Sequence, residues 1–249
     1  MFIKYCAAKH SLAKECTTIG LGTLQSYADD DPKFLRCDYE EGELTIINSG
    51  AVEIDSHSVT TLTGGAMRGV EVAVNPDGTF SKKYRFPNSY IFCLSQSSEP
   101  TADIARKIDE AYDDWYAITK IYNFIHRTAE LLLNQLKVSD FELSDEMSLQ
   151  WLRGLKIQVV NRECSYEGRE LAFNQETLQH AVEASKDVLR WAFAKDSAHG
   201  ALHEYRILFL VIDSENRIVP VKKNIKVLKL LPDFGVATNE LTESEWLAS

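Results

Sequence analysis

The chain has 249 residues, and its 27 Lys and Arg against 37 Asp and Glu give a formal net charge of −10. Hydrophobic residues make up 45% and charged residues 26%, with only 12 Gly and 6 Pro, which excludes disordered, collagen-like and low-complexity proteins. The acidic balance argues against a broad nucleic-acid surface, because binding phosphates needs clustered Lys and Arg. No apolar run approaches the ~18 residues of a membrane span, so we expect no membrane partner.

The cysteines and the N-terminal segment favour a cytoplasmic protein. The five cysteines are irregularly spaced and odd in number, and no CxxC pattern occurs, so neither a disulfide framework nor a metal site is predicted. The segment that begins at Met1 lacks an apolar signal core and a small-residue cleavage site. We therefore expect reduced thiols, no metal and a cytoplasmic location.

The first 95 residues predict mostly strands. In chain order the predicted elements are a strand at residues 2–6, a short helix at 11–18, an extended segment at 21–27, a β-hairpin of strands 70–74 and 80–86, and a strand at 89–95.

Residues 101–136 give the strongest helical pattern in the chain. Apolar side chains recur at steps of three and four from Ile104 to Leu136, and no proline interrupts them. The run is long for a globular helix, so a break near Asp113 or Asn123 is an open alternative. The aromatic side chains of this stripe are expected to serve as core.

The second half predicts a further helix and several strands. These are strands at residues 155–160 and 164–173 around a turn at 161–162, a helix at 177–194, a buried apolar strand at 205–212, and strands at 217–221 and 225–231. With no repeat and no linker, we expect one α+β domain over residues 1–249.

The segment around Glu204 carries the clearest chemical signal. No P-loop, GxGxxG, GxSxG or HExxH motif is present. Glu204 and Arg206 lie at the start of the predicted apolar strand. Because alternate residues of a strand point to the same face, their side chains are expected to share a face. One interpretation is a surface ion pair that contributes about 0–1 kcal/mol. The other is a carboxylate at the edge of a cleft, where it stabilises positive charge on a ribose carbon.

Three charged clusters have weaker interpretations. The basic clusters at residues 82–85 and 222–229 read as a solvated turn and a strand edge, and either is also compatible with a small anionic ligand. Asp38, Glu41 and Glu43 form an acidic cluster that suits a solvated turn, or alternatively the Mg²⁺ site of a nuclease.

The order of short motifs resembles diverged bacterial ADP-ribosyltransferase-like domains, including toxin and phage-defence members. The motifs are a first strand with Lys4 and Tyr5, a following helix with a G-x-L element at residues 22–24, an E-G pair at 41–42, an F-C-x-S element that ends at Ser95, and finally Lys195 with the E-x-R element at 204–206. The resemblance spans residues 4–209. Two features depart from better-known members: Cys6 stands on the first strand, and no S-T-S triplet is present.

The resemblance implies a fold, a substrate and a set of site residues. The fold is a split, mixed β-sheet core with a long helix and a short N-terminal helix packed on it, and NAD+ lies in the cleft. Glu204 takes the place of the catalytic glutamate that grips the nicotinamide ribose. The implied NAD+ contacts are Lys4, Tyr5, Tyr27, Tyr90, Ser95 and Arg206, although core packing is an alternative for Tyr27 and Tyr90.

The implied activity is transfer of ADP-ribose from NAD+ to a macromolecular acceptor by an intracellular toxin or anti-phage defence effector. The implied partners are NAD+, the acceptor and an antitoxin or other inhibitory protein. The alternative is a catalytically inactive binding module on the same scaffold, within a toxin–antitoxin or other protein complex.

Overall fold

A computed structural model of the chain describes residues 1–14, 16–28, 42–48, 71–74, 80–97, 99–142, 149–166, 169–231, 234 and 237–238. It shows an α+β protein that divides into two compact units. The larger unit comprises Met1–Tyr39, Pro87–Cys164 and His199–Ser249, and the smaller comprises Glu40–Phe86 and Ser165–Ala198. The expectation of one domain over residues 1–249 stays a prediction.

Strands dominate the described ranges. They are β1 Phe2–Cys6, β2 Thr18–Thr23, β3 Glu43–Asn48, β4 Glu71–Val74, β5 Phe80–Arg85, β6 Tyr90–Gln96, β7 Asp114–Ile118, β8 Lys156–Glu163, β9 Glu170–Phe173, β10 Glu204–Ile212, β11 Lys226–Lys229 and β12 Ala237–Thr238.

The helices of the described ranges are mostly short. They are α1 Leu24–Ala28, α2 Ala102–Ile108, α3 Ile121–Gln135, α4 Leu149–Leu152, α5 Leu178–Lys186 and α6 Val188–Ala192, with 3-10 turns at Ala8–His10, Val138–Asp140 and Ser197–Leu202. Among these described residues, no helix is long and apolar enough to cross a membrane.

The larger unit is built on an eight-stranded sheet with β6 at its branch point. Strands follow the order β11-β2-β6-β1-β7-β12, while β10 pairs with β6 and β8 pairs with β10. Strand β10 pairs with β6 from Tyr90 to Ser95, so β1 and β2 share the other edge of β6. They meet that edge at opposite ends, β1 at Ser95 and β2 at Tyr90. The sheet is therefore split between β1 and β2, and all its strand pairs are antiparallel.

Helix α3 covers one face of this sheet, which we call the helix face. Its buried side chains, from Phe124 to Leu132, recur at helical spacing and face the core. The Phe124 ring lies 5.1 Å from that of Phe92 on β6 and 5.8 Å from that of Phe234, measured between ring centroids. This confirms the long amphipathic helix, although it is shorter than the sequence predicts.

The opposite face carries a smaller core under α2. Ile3, Tyr5 and Ala117 of the sheet pack with Ala105 and Ile108 of the helix. The N-cap of α2 is Thr101, whose side chain accepts a hydrogen bond from the backbone N–H of the third helical residue at 3.2 Å. We call this side of the sheet the second face.

The helical run predicted at residues 101–136 is not continuous, and the alternative of a break near Asp113 is confirmed. Residues Asp114–Ile118 form β7, which pairs with β1 along its whole length and continues into the sheet toward β12. Helix α2 ends before it, with Asp109 as C-cap in an extended conformation. A short apolar run in a buried strand fits both periodicities, so spacing alone does not separate strand from helix here.

Other local predictions are also wrong: Leu24–Ala28, in the predicted extended segment, is the helix α1, and residues 217–221 form isolated bridges and no strand. The helix expected at 11–18 is absent from the described residues: the chain makes a 3-10 turn at Ala8–His10, and Thr18 already begins β2. The turn expected at 161–162 lies inside β8. The helix expected at 177–194 is two helices, because Asp187 caps α6 with its side chain and ends α5. The strands predicted at 2–6, 89–95 and 205–212 are confirmed.

The smaller unit holds a mixed four-stranded sheet in the order β4-β5-β3-β9. Strands β4 and β5 pair antiparallel, which confirms the predicted hairpin strands, while the turn between them lies outside the described residues. Strands β3 and β9 run parallel. Parallel pairing therefore occurs here, whereas the split sheet of the larger unit is antiparallel.

Candidate functional site

Glu204 opens β10 directly after a sharp change of chain direction. The 3-10 turn Ser197–Leu202 leads into His203, whose φ of 42° is unusual for a residue other than glycine. The carbonyl of His203 accepts a hydrogen bond from the Gln96 N–H at 2.9 Å. This contact ties the turn to the end of β6 and fixes where β10 begins.

Strand register places Glu204 beside Ser95 on the second face. Glu204 lies opposite Ser95 of β6, and Ser95 lies opposite Ile3 of β1. Two residues further along β10, Arg206 lies between Cys93 of β6 and Arg162 of β8. Since strand side chains alternate between faces, Glu204, Ser95 and Arg206 share the face that also carries Ile3.

Glu204 and Arg206 form a buried ion pair, which confirms that they share a face. The Arg206 Nη2 and Nε atoms donate to Glu204 Oε1 at 2.7 and 3.0 Å. Arg206 is 0% exposed and Glu204 is 5% exposed. The pair is therefore not the exposed kind of ion pair, which contributes about 0–1 kcal/mol to stability, because both charged groups are buried away from solvent. It holds one ionised carboxylate at a defined place.

A buried thiol adds to this group. The Cys164 Sγ atom lies 3.7 Å from Glu204 Oε1, within reach of a weak S–H hydrogen bond. The Cys164 N–H also donates to the Glu204 carbonyl at 2.8 Å. Neither Cys164 nor Arg162 was a candidate from the sequence. Both lie near Glu204 because β8 pairs with β10. Local sequence patterns do not predict such contacts, because residues 162–164 and 204–206 are about 40 positions apart in the chain.

Tyr5 also lies on the second face, two residues beyond Ile3 on β1. It packs in the smaller core under α2 and is 4% exposed. Burial raises the pKa of Tyr5. The Tyr5 hydroxyl has no hydrogen-bond partner among the described residues. Tyr5 is thus part of a core with its polar atom unsatisfied.

Lys4 lies on the helix face, away from Glu204. Its Nζ atom donates to the backbone carbonyl of Cys93 at 2.9 Å and lies 4.6 Å from the centroid of the Phe92 ring. Cys93 stands between the two points where β1 and β2 meet β6. The lysine therefore spans the split in the sheet, and the structure does not bring it to the carboxylate.

Tyr27 and Tyr90 lie near the other end of β6. Tyr90 is opposite Phe209 and Thr23, five positions and about 17 Å of strand from Ser95. It is fully buried on the helix face, and this burial raises its pKa. The ring of Tyr27 covers Gly22, the register partner of Ile91. The structure thus brings Ser95 and Arg206 to Glu204 and places Tyr5 further along the same face, whereas Lys4, Tyr27 and Tyr90 lie apart from this group.

Where the structure describes the charged clusters of the sequence, several of their side chains form ion pairs within the protein. Glu43 is 5% exposed and accepts from Arg85 Nε at 2.8 Å, and it also pairs with Lys83. Asp38 and Glu41 lie outside the described residues. Within the described ranges, no group of three or more potential ligands is placed to hold a metal ion.

Comparisons with known proteins give no family assignment. No protein-family model, no curated protein and no solved structure matches the chain.

Proposed function

We propose that the chain transfers ADP-ribose from NAD+ to a macromolecular acceptor, with Glu204 as the carboxylate that stabilises the reacting ribose. The observation that supports this most is the Glu204 carboxylate, held by the Arg206 guanidinium on a sheet face beside Ser95. The fold expected for this activity is the split sheet of an ADP-ribosyltransferase, and the pairing of β1 and β2 with opposite ends of β6 is compatible with it.

The proposed reaction needs an ionised, immobile carboxylate. The bond between the ribose C1 atom and the nicotinamide nitrogen breaks, and its electron pair leaves with nicotinamide. Positive charge then develops at C1, and a fixed carboxylate stabilises that charge without having to reorganise. A nucleophilic atom of the acceptor attacks C1 and releases its proton to solvent.

Arg206 and Ser95 have supporting roles in this proposal. The two hydrogen bonds from Arg206 favour the charged form of Glu204 and restrict its rotamer. Ser95 is directly opposite Glu204, so its hydroxyl is available for a ribose hydroxyl on the same face. Tyr5 remains a proposed NAD+ contact on this face. Lys4, Tyr27 and Tyr90 lie away from Glu204, and their contacts within the protein are explained without NAD+.

The test is nicotinamide release from NAD+ by the purified chain. We expect Glu204→Gln to lower the rate by about 10²–10³-fold, the usual cost of removing one charge-stabilising group. Glu215→Gln changes an exposed carboxylate on the same unit and should leave the rate unchanged. Far-UV circular dichroism must show that both variants are folded. An unchanged rate in the folded Glu204 variant would remove the residue from the reaction.

A second candidate is a binding module without catalysis, and a specific observation favours it. Glu204 is only 5% exposed, and Lys4 is committed to the Cys93 carbonyl on the opposite face. In this case the buried ion pair is structural, and the protein acts through a partner, such as the inhibitory or antitoxin protein that the resemblance implies. Calorimetry that shows no NAD+ binding at millimolar cofactor supports this candidate, whereas toxicity on expression that is lost in Glu204→Gln contradicts it.

As a toxin or anti-phage defence effector, the enzyme would act in the cytoplasm, where NAD+ is available. A nuclease is not proposed, because the one described member of its acidic cluster, Glu43, is engaged by Arg85 and Lys83.

A further inference from the structure

The Cys164 thiol approaches the same carboxylate oxygen that the Arg206 guanidinium binds. The Cys164 Sγ atom lies 3.7 Å from Glu204 Oε1, and the Arg206 Nη2 and Nε atoms donate to this oxygen at 2.7 and 3.0 Å. Cys164 is 7% exposed and Glu204 is 5% exposed. A neutral donor and a charged donor therefore converge on one buried carboxylate oxygen.

The pairing of two strands fixes the place of this thiol. Cys164 directly follows β8 and lies opposite Glu204 of β10, since the adjacent pair in the register is Glu163 with Tyr205. The Cys164 N–H donates to the Glu204 carbonyl at 2.8 Å, which holds the two backbones together. Side chains of opposed residues in an antiparallel pair share a face, and a single torsion then places the cysteine sulfur. The contact between the thiol and the carboxylate is therefore built into the sheet.

The two donors reach the carboxylate from different directions. Arg206 lies two residues further along β10, so its guanidinium approaches along the strand. Cys164 lies across the strand pair, so its sulfur approaches from the side of β8. Donors from two directions restrict the rotation of a carboxylate more than one guanidinium does. A glutamate has several side-chain torsions, and each has to be fixed before the carboxylate can meet a substrate in one orientation.

The thiol acts here as a donor and not as a nucleophile. A thiol S–H is a weak hydrogen-bond donor, whereas a thiolate would place a second negative charge beside the buried Glu204 carboxylate. Like charges in a buried site are unfavourable, so the arrangement favours the protonated sulfur. Its S–H bond then favours the ionised form of Glu204, as any hydrogen bond to a charged form does.

We propose that Cys164 is a positioning residue for Glu204, whose carboxylate its S–H group keeps ionised and oriented toward the nicotinamide ribose. This inference rests on the proposed transfer of ADP-ribose. Cys164 itself contacts neither NAD+ nor the acceptor and acts only through Glu204. The interaction is a weak hydrogen bond, so its loss lowers the rate modestly and leaves the rest of the site intact.

The first test detects the hydrogen bond without measuring activity. The S–H stretching band of a thiol moves to lower frequency when the thiol donates, and Raman spectra of the full chain show this band apart from other protein signals. In each background, the Cys164 band is the difference between spectra recorded without and with Cys164→Ala. We expect Glu204→Gln, whose neutral amide is a weaker acceptor, to raise its frequency, and Glu215→Gln to leave it unchanged. An unchanged frequency in folded Glu204→Gln would overturn the proposal.

The second test measures how fast the full chain releases nicotinamide from NAD+ as a function of pH. We expect Cys164→Ala to lower kcat about two- to fivefold, with an unchanged KM for NAD+. Without the donor, Glu204 takes up its proton more readily, so the acidic limb of the kcat profile moves to higher pH. Cys164→Ser keeps a donor and should restore both. Cys16→Ala is the matched control, because the thiol it removes donates to the Thr18 carbonyl at 3.2 Å, outside the site.

The outcomes separate this inference from the proposed function. If wild type releases nicotinamide and folded Cys164→Ala keeps its rate and pH profile, the role of Cys164 is refuted and the proposed function stands. A Cys164→Ser variant as slow as Cys164→Ala, or an equal loss in Cys16→Ala, also refutes that role. If wild type releases no nicotinamide but the band shifts as expected, the proposed function fails, and with it the positioning role, while the hydrogen bond remains. Far-UV circular dichroism must show that every variant is folded.

Discussion

Replacing Arg206 by Met should remove the guanidinium that donates two hydrogen bonds to the buried Glu204 carboxylate. Arg206 is completely buried and both of its hydrogen bonds in this pair end on Glu204 Oε1. Breaking a buried ion pair from one side costs about 3–5 kcal/mol, against a total stability of about 5–15 kcal/mol for a typical domain. We therefore expect the variant to lose a large share of the free energy of unfolding while methionine keeps most of the side-chain volume.

The assay is urea unfolding of the full chain, followed by tryptophan fluorescence, for wild type, Arg206→Met, Glu204→Gln and the double variant. Because the double variant removes the Glu204 charge together with its Arg206 partner, we expect it to be more stable than Arg206→Met. The coupling energy between the two sites should be about 1–3 kcal/mol. A loss below about 1 kcal/mol with additive effects would refute the buried pair.

Three further predictions concern other parts of the larger unit. Gly22→Ala should destabilise the protein by about 1–3 kcal/mol in urea unfolding, because its Cβ would lie 2.5 Å from the Tyr27 ring, whereas Gly20→Ala should change stability by less than about 0.5 kcal/mol; equal effects would contradict this contact. Lys226→Met should lower the free energy of unfolding by about 3 kcal/mol, because it removes the ammonium group that lies 2.5 Å from the buried Asp140 carboxylate. An unchanged free energy of unfolding would show that this ion pair does not stabilise the fold. Burial raises the pKa of Cys6 to about 12 from an unfolded value near 9, so the folded state holds its proton longer and stability should fall as pH rises from 9 to 12; a Cys6→Ala variant should lose that part of the pH dependence.

Local patterns in the sequence predicted the strand that carries Glu204, but not its surroundings. The apolar run after Arg206 identifies a buried strand, and the alternation of strand side chains places Glu204 and Arg206 on one face without any knowledge of the partners. The burial of the pair was not predicted, because it depends on β6 and β8 packing on either side of β10. The Cys164 contact likewise arises from pairing between distant segments.

Lys4 and residues 114–118 show two kinds of information that local sequence patterns lack. The position of Lys4 on the first strand was predicted correctly, but the face on which its side chain lies follows from the register between β1 and β6, which the sequence does not encode locally. Residues 114–118 were assigned to a helix because their apolar side chains continued a helical stripe. Their place between β1 and β12 outweighed that periodicity, as tertiary context often does.

The central claim is that Glu204 enables the transfer of ADP-ribose, and the most direct measurement of it is label transfer. Purified chain is incubated with NAD+ labelled in its adenylate phosphate and a cell lysate, and the products are treated separately with protease and nuclease. We predict label in a macromolecule with wild type and with Glu215→Gln, and its absence with folded Glu204→Gln. Equal labelling by the folded Glu204 variant, or no labelling by the wild-type chain in any fraction, would contradict the account.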